Sequence, residues 1–115
     1  MPQPSPAAVR PSPDRALLAA AARGDPDALR QLRARHWMSL YALTYGIVTD
    51  ASDAEEVVDA AFDEAWLKAS HYDPTRGSVY AWLADVARSR ARGVIRARDW
   101  PRRLAGDRVE APWAG

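Results

Sequence analysis

The stretch SDAEEVVDAAFDEAW, residues 52–66, places apolar residues three or four positions apart and fills most of the remaining positions with acids. This spacing predicts an amphipathic α-helix with a broad buried face. Ser52 and Glu55 fit a capping box at the helix start, and Asp53 adds a negative charge to the first turn, where the helix dipole favours it. We expect the helix to continue to about Ser70 and to bury its apolar face against neighbouring helices.

The sequence before this stretch predicts two more helices. Pro13 and Pro26 each follow a residue that caps helices well, which is typical of helix starts. We expect a short helix that ends before Gly24 and a long helix that ends near Val48. The apolar stripe of the long helix contains Leu29, Leu32, His36, Leu40, Leu43 and Ile47.

A fourth helix is predicted after the segment HYDPTRGS, residues 71–78, which is a loop rich in turn-forming residues. Ser78 is expected to cap this helix, which should run to about Arg98. Gly93 in its interior lowers the helix propensity by about 1 kcal/mol relative to alanine. Arg90 falls nearer the apolar side than the neighbouring arginines, so we expect it to snorkel or to form an ion pair.

The whole pattern predicts an all-α fold, a compact bundle of three main helices plus a short N-terminal helix. Trp66 and Trp82 fall on apolar faces and are interpreted mainly as core residues. Residues 1–12 are rich in proline and have no apolar period, which predicts a disordered leader. Residues 13–99 form the helical domain, and residues 100–115, which begin with a tryptophan-proline pair, are expected to be a linker or tail.

The composition disfavours several classes of protein. The 115 residues suffice for one small domain, cysteine is absent, and no apolar run is long enough to span a bilayer. The N-terminus lacks the features of a signal peptide, so we expect a cytoplasmic protein without membrane contacts. Only two histidines are present, and no pattern suggests a metal site, a cofactor or the nucleophile–base pair of an enzyme.

The net charge of +1 conceals two oppositely charged segments. Residues 50–64 contain seven acids and no base, whereas residues 88–108 contain eight arginines and two acids. Acids four residues apart on one helix repel each other by roughly a few tenths of a kcal/mol per pair. Two such segments suggest two different partners, although both could equally be solvated helix faces.

Three segments together resemble region 2 of bacterial sigma factors, most closely the extracytoplasmic-function (ECF) group of the sigma-70 family. They are GDPDALRQLRARH, LYALTYGIVTDASDAEEVVDAAFDEAW and YDPTRGSVYAWLADVARSRA, in the order and at the spacing of that family. The resemblance covers about residues 14–98. It implies a transcription initiation factor domain that binds core RNA polymerase and recognises and melts the minus-ten element of a promoter.

In that family the third helix docks on the clamp coiled coil of the largest polymerase subunit, and the loop and last helix hold the non-template single strand with one base flipped into the loop. The resemblance therefore implies polymerase contacts for Glu55, Glu56, Asp59 and Asp63. It implies DNA contacts for His71, Tyr72, Arg76, Ser78, Arg88, Ser89, Arg92 and Arg96. The chemistry agrees, because arginines suit phosphates and loop aromatics suit an unstacked base.

Some features depart from the family pattern. Ser89 stands where the family commonly has Asn, and Gly93 stands where it commonly has Asp or Asn. We expect both residues on the DNA side of the helix. The usual second domain, a helix-turn-helix, has no room after Arg98, so we expect either a truncated chain or a stand-alone region 2 protein, and the end in APWAG within linker-like composition fits truncation. A second interpretation is a sigma-like module that binds a regulator of the anti-sigma type without promoter recognition. In both cases the free domain is expected to be a monomer.

Overall fold

The computed structural model of the protein describes the backbone of residues 13–109 and the side chains of residues 13–99. Four α-helices follow in order: α1 (Pro13–Ala22), α2 (Pro26–Val48), α3 (Ala51–Lys68) and α4 (Val79–Val109). Two short 3₁₀ turns, Ala69–His71 and Pro74–Arg76, link α3 to α4. The described residues contain no strand, so the predicted all-α bundle is confirmed. The predicted leader, residues 1–12, lies outside the described residues.

The starts of α2 and α4 are capped as the sequence predicts. Asp25 Oδ1 accepts hydrogen bonds from the backbone N–H groups of Asp27 and Ala28, at 3.0 and 3.4 Å. Ser78 Oγ accepts a hydrogen bond from the backbone N–H of Ala81 at 3.0 Å. Each cap satisfies N–H groups that have no partner inside the helix.

The predicted cap of α3 at Ser52 is wrong, because the helix begins earlier, at Ala51. Thr49 ends α2 in the left-handed conformation (φ 54°, ψ 29°), and Asp50 after it is extended (φ −142°, ψ 126°). Asp50 therefore has the backbone of a capping residue, and its Oδ1 accepts a hydrogen bond from the Asp53 N–H at 2.8 Å. Ser52 lies inside the first turn, where helical backbone angles prevent it from capping.

The core lies where α2, α3 and α4 pack together, and α1 closes over α2. The largest fully buried side chains include Leu18, Leu32, Leu40, Phe62 and Leu83. Trp66 and Trp82, predicted mainly as core residues, are only partly buried and pack against the edge of this cluster. Small residues on the same two helices, Ala61, Ala65 and Ala87, are fully buried, whereas the larger indole rings are only partly covered.

Helix α4 is longer than predicted, because it passes through Pro101 and continues to Val109, the last described residue. Proline lacks the N–H that would bond to the Ala97 carbonyl, and its ring crowds that carbonyl, yet the helical backbone continues past this position. The bias of a pre-proline residue against helical angles marks a probable boundary and not a certain one. The prediction that the helix ends near Arg98 is therefore wrong, whereas the use of residues 100–115 as a linker or tail stays a prediction.

Candidate nucleic-acid and protein interfaces

The loop between α3 and α4 is built from specific hydrogen bonds. Asp73 Oδ1 accepts from the backbone N–H and from the hydroxyl of Thr75, at 2.9 and 2.7 Å. The Tyr72 hydroxyl donates to the carbonyl of Gly77 at 2.6 Å. Gly77 has φ 144° and ψ 178°, a backbone region that is essentially confined to glycine. These contacts give the predicted loop a defined shape.

This loop and the first turns of α4 surround a cavity of about 310 Å³, at the lower end of the size range of ligand pockets. The rings of Tyr72 and Trp82 meet edge-on at the cavity, with their centroids 5.9 Å apart. The lining residues are His71, Tyr72, Asp73, Arg76, Gly77, Ser78, Ala81, Trp82 and Asp85. All four loop residues that the sequence predicts as DNA contacts therefore lie around one cavity.

The cavity also contains charged groups of both signs. Arg76 supplies a cation, and Asp73 and Asp85 supply carboxylates. A hydrogen bond from the Thr75 hydroxyl and, to a smaller extent, one from the Thr75 backbone N–H lower the pKa of Asp73 below its ordinary value of 3.8. Asp73 is therefore ionised at neutral pH and acts only as a hydrogen-bond acceptor.

One face of α4 continues from this cavity. Asp85, Arg88, Ser89, Arg92 and Arg96 follow one another at spacings that place them on one side of a helix. Arg88 is partly buried and forms an ion pair with Asp85 at 2.9 Å. Arg92 and Arg96 are exposed, and neither has an ion-pair partner among the side chains of residues 13–99. The face thus presents two free positive charges, and the third predicted arginine is compensated.

Two other arginines of α4 contact neighbouring helices of the bundle. Arg90 Nε donates a hydrogen bond to Glu64 Oε1 at 2.9 Å, and Arg90 Nη2 lies 2.8 Å from the same oxygen. This contact confirms the predicted alternative that Arg90 forms an ion pair. Arg98 donates to the carbonyl of Val48 at 2.8 Å and forms an ion pair with Asp53. These contacts join α4 to α3 and to the end of α2.

The predicted polymerase contacts on α3 also comprise exposed acids without an ion-pair partner and one acid that is paired. Glu55, Glu56 and Asp63 are exposed and have no ion-pair partner within the part of the chain whose side chains are described. Asp59 forms an ion pair with Arg33 on α2, which offsets its charge, and its side chain is 45% exposed. Three of the four predicted polymerase contacts are therefore available to a basic partner, and Asp59 is held by a neighbouring helix.

Sequence reasoning missed an aromatic ladder on α2 beside these acids. The rings of Trp37, Tyr41 and Tyr45 stack in succession, with centroid separations of 5.1 and 6.1 Å. Trp37 Nε1 donates to Asp59 at 3.5 Å, which places the ladder next to α3. The signal that could have found it is the recurrence of an aromatic residue at every fourth position.

A groove of about 430 Å³ between α3 and α4 was also missed. Its lining is mainly small or apolar, and the residues are Glu56, Val57, Ala60, Arg90, Gly93, Val94 and Ala97. Gly93, expected on the DNA side of α4, lines this groove, and a Cβ atom at this position would lie 3.8 Å from Arg96 Nη2. A larger side chain at this position therefore has room beside Arg96, one of the predicted DNA contacts.

Neither a metal-binding cluster nor a membrane-spanning helix is found among the described residues. No group of three or more histidine or acidic side chains among residues 13–99 is placed to hold a metal ion. No helix between residues 13 and 109 is both long and apolar enough to cross a membrane.

Comparison with known proteins identifies the family. Residues 28–101, well over half of the chain, match the family model of Sigma-70 region 2. The chain belongs to the sigma-70 family. The match to region 2 includes α2 from Ala28, all of α3, the loop and α4 as far as Pro101. Every predicted contact residue therefore lies inside the region 2 match.

Curated relatives confirm the predicted ECF group. The ECF RNA polymerase sigma factor SigK of Mycobacterium ulcerans is 38% identical over 82 residues, which cover 71% of this chain and 44% of SigK. The RNA polymerase sigma factor CnrH of Cupriavidus metallidurans is 34% identical over 85 residues, which cover 74% of this chain and 44% of CnrH. The chain thus spans less than half the length of these sigma factors.

Proposed function

We propose that this region 2 domain acts in transcription initiation, in the cytoplasm, by binding core RNA polymerase and the non-template strand of a promoter's minus-ten element. The observation that carries the proposal is the loop cavity, which opens beside a helix face with two free arginines. An aromatic-lined cavity suits an unstacked base, and a row of cations suits the phosphates beside it. Relatives named RNA polymerase sigma factors support the same function.

The cavity and the helix face have different tasks in this proposal. His71, Tyr72, Arg76 and Ser78 contact the base, and Ser89 lies on the adjoining turn of α4. The exposed arginines of α4 contact phosphates, with Arg88 as a further contact if its pair with Asp85 opens. Phosphate contacts supply affinity with little sequence choice, whereas base contacts supply the choice.

The polymerase contact is assigned to the free acids of α3. Glu55, Glu56 and Asp63 present uncompensated negative charge to a basic partner, which the family resemblance identifies as the clamp coiled coil. Asp59 contributes less, because Arg33 already offsets its charge. An anti-sigma factor is a further partner that could cover the same surface.

The polymerase contact can be tested with a double charge reversal, Glu56→Lys with Asp63→Lys. Because like charges facing each other across an interface cost several kcal/mol, we expect at least about tenfold weaker binding of the full chain to core polymerase. Asp27→Lys, which reverses one charge instead of two, is the control at a distant position, since Asp27 is exposed at the start of α2 and pairs there with Arg30. Circular dichroism verifies that each variant is helical. Binding of the double variant as tight as that of the control would contradict the assignment.

A regulator-binding module without promoter recognition is the second candidate function. The mainly apolar groove beside Glu56 favours it, because such a groove suits a protein segment. The two functions differ in the response to single-stranded DNA. Binding of a minus-ten oligonucleotide to polymerase only when this chain is present supports the first, and its absence supports the second.

A further inference from the structure

The loop cavity is lined by a carboxylate group with one oxygen that accepts no hydrogen bond from the described residues. Asp73 and Asp85 both line the cavity, and Asp85 is compensated by Arg88 at 2.9 Å. Asp73 uses Oδ1 for both of its hydrogen bonds from Thr75. Its other oxygen, Oδ2, has no hydrogen-bond partner among the described residues. The Thr75 contacts therefore fix the carboxylate while one oxygen remains free to accept.

The edges of the four bases interact differently with such an acceptor. Cytosine, adenine and guanine carry exocyclic amino groups, which are donors, and acidic side chains accept from the cytosine amino group in known base recognition. Thymine carries no amino group, and its single ring N–H lies between two carbonyl oxygens that repel a carboxylate. The hydrogen bonds from Thr75 keep the pKa of Asp73 low, so the acceptor persists at neutral pH.

We infer that the loop cavity selects a base with an exocyclic amino group over thymine, and that Asp73 is the residue that makes this choice. The inference rests on the proposed function, in which a base of the non-template strand occupies the cavity. Tyr72 and Trp82 offer ring contacts that every base can make, so they do not discriminate. Arg76 on the same cavity offsets the repulsion between Asp73 and the phosphates.

Asp73→Asn separates base selection from loop shape. The asparagine carbonyl oxygen can accept both hydrogen bonds from Thr75, while the amide NH₂ replaces the free acceptor with a donor. The matched control is Asp27→Asn, which makes the same chemical change in the first turn of α2.

The probes are fluorescent thymine oligonucleotides of about twelve nucleotides, within the usual length range of single-strand sites, with or without one central cytosine, adenine or guanine. Anisotropy is measured with the full chain, alone and with core polymerase. The unmodified chain and the control should prefer an amino-bearing base by about tenfold, the effect of one charge-assisted hydrogen bond. Asp73→Asn should lose or reverse this preference and keep its affinity for the all-thymine probe.

The outcomes separate the inference from the proposed function. If the unmodified chain binds all probes equally, or if the preference survives in Asp73→Asn, the inference is overturned while strand binding stands. If no probe binds in either setting, the proposed DNA function fails and the inference fails with it.

Discussion

Replacing Arg92 and Arg96 with alanine should change how DNA binding responds to salt. Both side chains are exposed and uncompensated within residues 13–99, so each can release a counterion when it contacts a phosphate. On a single strand each lost contact lowers the slope of log affinity against log salt by about 0.7, so the double variant should lower it by about 1.4. Arg90→Ala removes one positive charge from the same helix. Because Glu64 lies 2.8 Å from Arg90 and offsets it, we expect a clearly smaller change there.

The assay is fluorescence anisotropy of a single-stranded oligonucleotide with the full chain, over about 50–200 mM salt, the range in which such contacts are readily resolved. It is repeated with core polymerase, because the isolated domain should hold a strand only weakly. Arg23→Ala, an exposed arginine after α1, is the control for net charge. An unchanged slope in the double variant would refute the phosphate role. Equal slope changes per charge for all variants would refute the argument from ion pairing.

Three further predictions concern the fold and the loop. Phe62→Ala should lower the free energy of unfolding by about 3–5 kcal/mol, because the ring is 2% exposed, and urea denaturation that shows less than about 1 kcal/mol would contradict its core position. Asp50→Ala should lower the free energy of unfolding by about 0.5–2 kcal/mol in the same assay, whereas Ser52→Ala should change it little. A larger loss for Ser52→Ala than for Asp50→Ala would show that Ser52 is the cap. Gly77→Ala should strain the loop by about 1–3 kcal/mol and weaken oligonucleotide binding, and normal binding would show that the loop conformation is not needed.

The helices could be predicted because their signals are local. Prolines, capping residues and apolar spacing act within a few residues, and they located α2 from Pro26–Val48 as observed. The prediction failed where local signals competed. Asp50 and Ser52 can both cap a helix, and the left-handed conformation of Thr49 decides between them. Pro101 signals an end, yet α4 continues past it despite the missing N–H and the crowding by the proline ring.

The candidate site could be predicted only in part, because the availability of a charge depends on distant residues. Cross-helix ion pairs join residues 21 to 45 positions apart in sequence. They include Arg35–Asp14, Arg33–Asp59, Arg90–Glu64 and Arg98–Asp53. No pattern along one helix shows which arginine meets which acid, so the sequence could locate the charged segments but could not separate free charges from paired ones. The same holds for the cavity, whose walls come from a loop and from a helix face.

The most direct test of the proposed function is a nuclear magnetic resonance titration of the full chain with a thymine-rich single strand that contains one cytosine. We expect the backbone amide shifts to concentrate in residues 71–78 and along the α4 face from Asp85 to Arg96. The amides around Glu55, Glu56 and Asp63 should stay unchanged, because that surface is assigned to polymerase. Shifts centred on α3, or a loop that does not respond at saturating DNA, would contradict the proposed DNA-binding surface.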